Sequence, residues 1–258
     1  MGFEPQVPTL TYLERLDVKL ATRMVPRAET LDLRAPPETW AHLLVDATMR
    51  TRPAAGLVCG HLELRGVDLR LTEVQAALTG RAGRYQPGQQ EYAFIQGMAR
   101  CLALLRQRAE AQVAPDGAFA VDLFRAFAGD LARFKANWLR RDMPWDGLIY
   151  VPYPDASEVP RLLGSFVEAT CYRDLPLRFA RLHPVRQAFR VLWRLARIAP
   201  FPDFNVLIAF LAMNTYLLVK GYPAITPMPG DRELLNKVLS GPPPARIAAF
   251  EARLADCA

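Results

Sequence analysis

The run Val206–Val219 has almost no polar face, and this is the strongest constraint on how the chain folds. Its polar interruptions begin only at Asn214 and Thr215. A helix that is apolar all round has to be buried all round. The uninterrupted part, Val206–Met213, falls well short of the roughly 18 residues needed to span a membrane. The burial therefore has to come from other helices. Just before the run stands Ala199-Pro-Phe-Pro-Asp-Phe-Asn205, which follows a helix-like run, His183–Ile198. A turn in that position places polar groups at a helix N-terminus, where backbone N–H groups and the helix dipole hold anions.

The supply of covering helices is ample. A chain of 258 residues makes one large domain or two small ones. Hydrophobic residues make up 51% and charged residues 22%, the balance of a globular protein with a sizeable core. Apolar groups at helical spacing mark Leu10–Met24, Thr39–Met49, Gln89–Gln112, Phe119–Leu139, Glu158–Cys171, Leu177–Leu182, His183–Ile198, Asp231–Leu239 and Pro244–Asp256. Thr72-Glu-Val-Gln75 is a capping-box pattern, and its helix stops at Gly80. Leu62, Leu64, Val67, Leu69 and Leu71 nearly alternate around Arg65-Gly66, which predicts a short hairpin or extended loop. Trp145–Pro154 carries strand formers between prolines and a glycine, as an edge strand or small hairpin does. Residues 1–8 read as a disordered N-terminus, 9–228 as a helical domain, and 229–258 as a helical extension packed on it. The fold class is mainly α, with one short hairpin and no βαβ alternation.

Several function classes are excluded on composition and spacing. The net charge is +6, yet no basic run is interleaved with aromatics, so nucleic acid is not the expected partner. Cys59, Cys101, Cys171 and Cys257 show no metal-ligand spacing, which fits a reduced, cytoplasmic protein. His42, His61 and His183 lack partners at metal-ligand spacing, so no metal site is expected. The start, Met1-Gly-Phe-Glu-Pro, carries no signal-peptide pattern. Along His183–Ile198 the residues Arg186, Arg190, Arg194 and Arg197 form a stripe that reads as a solvated face.

Four features at joint spacing resemble the Fic family. His183-Pro184 precedes Ala199 by sixteen residues, and Arg197-Ile198 lead into the loop. Met213-Asn214 and Gly221-Tyr222-Pro223 follow it where the family has MN and GYP. Leu71–Gly80 is similar to the helix after the family's regulatory segment, and Trp145–Pro154 to its hairpin flap. The resemblance covers about residues 10–226. It implies a Fic-like helical bundle with one short β-hairpin flap. Most members transfer AMP from ATP to a protein hydroxyl through a loop His-x-Phe-x-Asp-Gly-Asn-Gly-Arg.

This chain departs from that loop where the chemistry lies. Ala199 stands at the position of the family's general-base histidine, and a methyl group accepts no proton. Phe204 and Val206 replace glycines that let backbone curl around phosphates. Leu207 and Phe210 replace two phosphate-binding arginines, whose charge-assisted bidentate bonds they cannot supply. Phe201, Asp203 and Asn205 remain. In the family the counterpart of Asp203 supports the metal and phosphate site and that of Asn205 contacts phosphate; either residue also suits a helix cap. No clean copy of the family's inhibitory Ser/Thr-x-x-x-Glu-Gly/Asn helix is found near Thr51–Arg65, and Leu207 would give its glutamate no partner.

The expected protein is thus a divergent Fic-fold protein that does not carry out ordinary AMP transfer. Its altered pocket would be apolar, lined by Phe201, Phe204, Asn205, Val206, Leu207 and Phe210. No cofactor is expected, with ATP and Mg²⁺ relevant only if the loop still binds nucleotide. A protein or small-molecule partner would dock at the pocket and at the flap residues Leu148, Ile149, Tyr150 and Val151. The setting implied is bacterial and cytoplasmic, or delivery as an effector. The alternative is an active transferase with a changed donor or chemistry. Its base would be a desolvated Asp203, or a histidine if Ala199 is an engineered replacement. A third reading is a plain helical interaction module, favoured by a closed pocket.

Overall fold

The computed structural model of the protein describes residues 13–17, 19, 41–131, 134, 138–148, 151–164, 182–228 and 230–240. Its helices are α1 Ala41–Thr48, α2 Thr51–Glu63, α3 Leu71–Leu78, α4 Gln90–Glu110 and α5 Gly117–Ala128, followed by α6 Val159–Gly164, α7 Pro184–Ile198, α8 Asn205–Val219 and α9 Asp231–Ser240. Residues 13–17 are helical as well. No strand occurs among the described residues. Residues 149 and 150, at the tip of the expected hairpin, lie outside them. So do residues 1–8, the segment around Leu177 and the tail from 241.

Helix α8 is the axis of the molecule. All fifteen of its residues are buried. It packs against α1, α2, α4, α5 and α7, which supply the covering the apolar run demands. Even its polar members have a use inside. Asn214 donates to the Ile225 carbonyl at 2.9 Å and accepts the Ile225 N–H at 2.9 Å, tying the segment after Gly221-Tyr222-Pro223 to the core. His61, fully buried on α2, shares Nδ1 with the Leu57 carbonyl at 2.7 Å and lies 3.4 Å from Asn214 Nδ2. Burial lowers its pKa to about 4, so it remains neutral and structural.

Three sequence expectations are corrected here. Leu62, Leu64, Val67 and Leu69 belong to no hairpin: Leu62 ends α2 and the chain turns back. Gly66 takes φ +79°, its N–H donates to the Glu63 carbonyl at 2.8 Å, and the Val67 N–H donates to Leu62 at 3.1 Å. This is a Schellman closure, whose geometry brings alternate apolar residues inward and so imitates a strand pattern. The arginine stripe on α7 is also not a solvated face. Arg186 is exposed, but Arg190 and Arg194 are buried. The helix expected to run to Leu139 closes at Ala128, started by Asp116 accepting the Phe119 N–H at 2.7 Å.

Helix α2 lies so close to the segment before α9 that Gly60 has no room for a side chain. A Cβ there would stand 2.5 Å from the Pro227 carbonyl oxygen and 2.7 Å from Thr226 Cγ2. The obstacle includes backbone, so it cannot swing aside. Gly60→Ala gains about 1 kcal/mol of helix propensity but meets an overpacking cost of about 1–3 kcal/mol. The expected result is a net loss of stability, read as a lower urea midpoint with unchanged m-value.

Candidate functional site

The loop between α7 and α8 is built as a hinge of two left-handed residues. Ala199 closes α7 at φ 44° and Phe204 opens α8 at φ 61°. Each costs about 1–2 kcal/mol for a residue with a Cβ. Phe204 offsets that cost with its ring, whose full burial contributes roughly 2–3 kcal/mol. The ring meets Phe94, Phe127 and Phe134 edge-on at 5.7, 4.8 and 6.0 Å between centroids. Phe201 stacks on Phe124 at 4.4 Å and 2°. Position 204, where the Fic resemblance puts a glycine, does adopt the backbone that favours glycine, and an aromatic anchor holds it there.

The C-terminal end of α7 is collected by one guanidinium. Buried Arg140 donates through Nε to the Ala199 carbonyl at 2.7 Å and through Nη2 to Pro154 at 2.6 Å and Ile198 at 3.4 Å. A cation at this end complements the helix dipole. The Arg140 N–H donates to Pro200 at 2.9 Å and the Trp145 N–H to Pro202 at 2.8 Å. The segment 140–148 is thereby fastened along the loop.

That segment delivers the central group. Asp146 is buried and points its carboxylate at the start of α8. Its Oδ1 accepts from Asn205 Nδ2 at 2.8 Å and its Oδ2 from the Val206 N–H at 3.3 Å. The acceptor at this helix N-terminus is thus the protein's own side chain. Burial pushes the Asp146 carboxyl above its ordinary pKa, the Asn205 bond opposes this, and the charge of nearby Asp203 adds to it. From α9, Arg232 donates to the Asp146 carbonyl at 3.1 Å and to the Leu64 carbonyl at 3.1 Å.

Asp203 is equally engaged. Arg65, on the turn after α2, donates through Nε at 2.8 Å and Nη2 at 3.2 Å to its two oxygens, a bidentate pair. Oδ1 also accepts the Phe204 N–H at 2.8 Å. The hydrogen bond to Asp203 is the chief reason Arg65 is more basic than usual. Neither Asp203 nor Asn205 caps α8 in the expected way. The N-cap residue is Phe204, with no side-chain cap bond. Asn205 braces the loop from within, accepting the Phe201 N–H and donating to the Phe201 carbonyl, each at 2.8 Å.

The structure thus gathers Ala199, Phe201, Asp203, Phe204, Asn205, Val206, Leu207 and Phe210 at one junction, each at most 3% exposed. They form a packed joint there, not the lining of an open apolar cleft. Leu148 and Val151 are buried as well, the Val151 N–H donating to the Leu148 carbonyl at 3.5 Å. Ile149 and Tyr150 lie outside the described residues. The flanking motifs also serve as joints. His183 Nδ1 accepts the Val185 N–H at 3.3 Å, and Tyr222 donates to Asp17 at 2.6 Å beside it. Among the described residues no group of three or more His, Cys, Asp or Glu could hold a metal ion, and no helix is long and apolar enough to cross a membrane.

Sequence reasoning missed Asp146, Arg65, Arg140 and Arg232. The available signal for Asp146 was a lone carboxylate in a segment that had to face the loop. Arg65 was concealed by the strand-like leucines around it.

The bundle around the buried central helix has the fold of Fic-domain proteins. A Fic-domain-containing signaling protein from Bacteroides thetaiotaomicron VPI-5482 matches with a TM-score of 0.68 at 19% identity, over 96% of this chain and 92% of that one. Residues 134–508 of Fic-1 from C. elegans match with 0.64 at 18% identity, over 95% and 78%. A Fic family protein from Desulfovibrio desulfuricans G20 matches with 0.56 at 16% identity, over 98% and 75%. No protein-family model matches the sequence, and no curated protein does. Likeness at these identities establishes the fold.

The Arg65–Asp203 pair is asymmetric in exposure, 34% against 1% by side chain. Removing a partner of a fully buried pair costs about 3–5 kcal/mol, and solvent on the Arg65 side reduces that. Arg65→Ala is expected to lower stability by about 2 kcal/mol, while Arg65→Lys recovers part of it. Urea denaturation of the three proteins checks this.

Proposed function

We propose that this is a Fic-fold protein that does not carry out ATP-dependent AMP transfer and works by binding a partner. The observation that supports this most is the seating of Asp146 at the start of α8. A phosphate entering there would have to displace a carboxyl group held by Asn205 and the Val206 N–H. The cations that neutralise a phosphate are absent as well, with Leu207 and Phe210 at the positions the resemblance assigns to arginines. The Arg65 guanidinium is committed to Asp203 and those of Arg140 and Arg232 to backbone carbonyls.

The resemblance's base is missing at Ala199, and Asp203 makes a poor substitute. A carboxylate whose two oxygens both accept from one guanidinium has to surrender that pair before taking a proton. With the loop closed, binding falls to the surface around it, and the interaction-module reading gains weight over the altered-pocket one. A protein partner suits that surface better than a small molecule, because the residues once expected to line a cleft are in the core.

Calorimetric titration with ATP–Mg²⁺ tests this reading. The expected outcome is no binding tighter than about 100 µM, close to −5.5 kcal/mol. Tighter binding, or transfer of labelled AMP to any acceptor, contradicts it.

A further inference from the structure

An open cleft of about 540 Å³ lies between the N-terminal half of α4, the turn before it and the turn after α5. It shares no lining residue with the loop Ala199–Asn205, and its size falls in the range of about 300–1,000 Å³ usual for small-molecule sites. Its walls are fixed by the protein itself. The Gln89 N–H donates to the Gln86 carbonyl at 3.1 Å across Pro87-Gly88, a pair that favours a tight turn, and Gln89 Oε1 accepts the Gln86 N–H at 2.8 Å. On the far side α4 and α5 touch through backbone, since a Cβ at Gly97 would collide with the Phe127 carbonyl. Next along α4, Arg100 donates to the Ala126 carbonyl and to Asp130, each at 2.7 Å. The cleft is therefore formed before any ligand arrives.

Its lining holds polar groups that the fold does not use. Gln89, Ala93, Gln96 and Arg100 recur at helical spacing along one face of α4, and the short Ala93 side chain leaves room among its longer neighbours. Tyr92 and Gln96 are partly buried and Gln90 is exposed. Among the described residues the Gln90 and Gln96 amides and the Tyr92 hydroxyl make no hydrogen bond to protein. Each of these groups both donates and accepts. The charged lining is confined to Arg100 and Asp130, which pair with each other.

This set narrows the ligand. A phosphate or carboxylate calls for an uncommitted cation. An extended peptide pairs with a strand edge, and two helices and a turn offer none. A nucleobase is held by stacking between flat faces, and Tyr92 is the only aromatic of the lining. Sugar hydroxyls donate and accept as the two amides and the phenol do. A pyranose also carries an apolar C–H face that packs on an aromatic ring. We propose that this cleft binds a short uncharged oligosaccharide, with Gln90, Gln96 and the Tyr92 hydroxyl bonding its hydroxyls and the Tyr92 ring packing on one sugar. The site goes beyond the partner-binding reading and does not depend on it.

NMR titration of the isotope-labelled protein with maltotriose, cellotriose and triacetylchitotriose tests it, followed at the side-chain amides of Gln90 and Gln96. At least one trisaccharide is expected to shift both amides with a Kd of about 1 mM. Gln90→Ala and Gln96→Ala should each weaken it by about tenfold, Ala93→Leu should abolish it by filling the cleft, and Glu91→Ala should leave it unchanged. Gln90 is exposed at the start of α4 and alanine favours a helix, so Gln90→Ala decides if Gln96→Ala fails to fold. The proposal is overturned if none of the three sugars shifts those amides at about 20 mM, or if Gln90→Ala and Ala93→Leu bind as the unaltered protein does. Tighter binding at the same amides by adenosine or by an uncharged Ser-Gln-Ser peptide also overturns it, reassigning the cleft. The ATP titration is read separately from all of these.

Discussion

Helix α8 enters the core with its first turn leading, so the backbone N–H groups there meet no water and have to be satisfied by protein. An unpaired buried N–H costs about 1–3 kcal/mol. The chain meets this demand from a distance of about sixty residues: Asp146 reaches the Val206 N–H, and Asn205 completes the seat. Everything around the loop is arranged to keep that carboxylate in place. Arg140 binds the end of α7, the backbone of 140–148 is hydrogen-bonded to Pro200 and Pro202, and Arg232 holds the Asp146 carbonyl from α9.

The same demand explains the distribution of charge. Two buried carboxylates close together are unfavourable unless each is compensated. Asp203 is compensated by a bidentate arginine, and Asp146 by hydrogen bonds with Arg232 nearby. Those arginines come from the solvent side and remain partly exposed. The left-handed backbone at Ala199 and Phe204 is tolerated because aromatic packing outweighs its strain.

How much of this could be read in the sequence depended on whether local pattern and tertiary demand agreed. The apolar run at Val206 announced a helix buried on all sides, and α4 and α7 showed their periodicity plainly. Helix α2 was hidden because Pro53, Gly56 and Gly60 depress its propensity; it forms because its face packs on α8 and on the segment at Pro227. The arginines of α7 misled because periodicity marks a polar face without saying what covers it. At the loop, the residues lost relative to the Fic pattern were legible one by one. The contacts these residues make were not, since Asp146 and Arg65 meet Asn205 and Asp203 across 59 and 138 residues.

The central claim is that Asp146 occupies the anion position of α8 as a buried carboxylate. Its titration, followed at Cγ by carbon-detected NMR, tests this most directly. The account predicts a midpoint above the ordinary 3.8, raised first by burial and then by Asp203, against the pull of Asn205. A midpoint at 3.8 with the chemical shift of a hydrated carboxylate would contradict it, since Asp146 would then be in water and the start of α8 open to another anion.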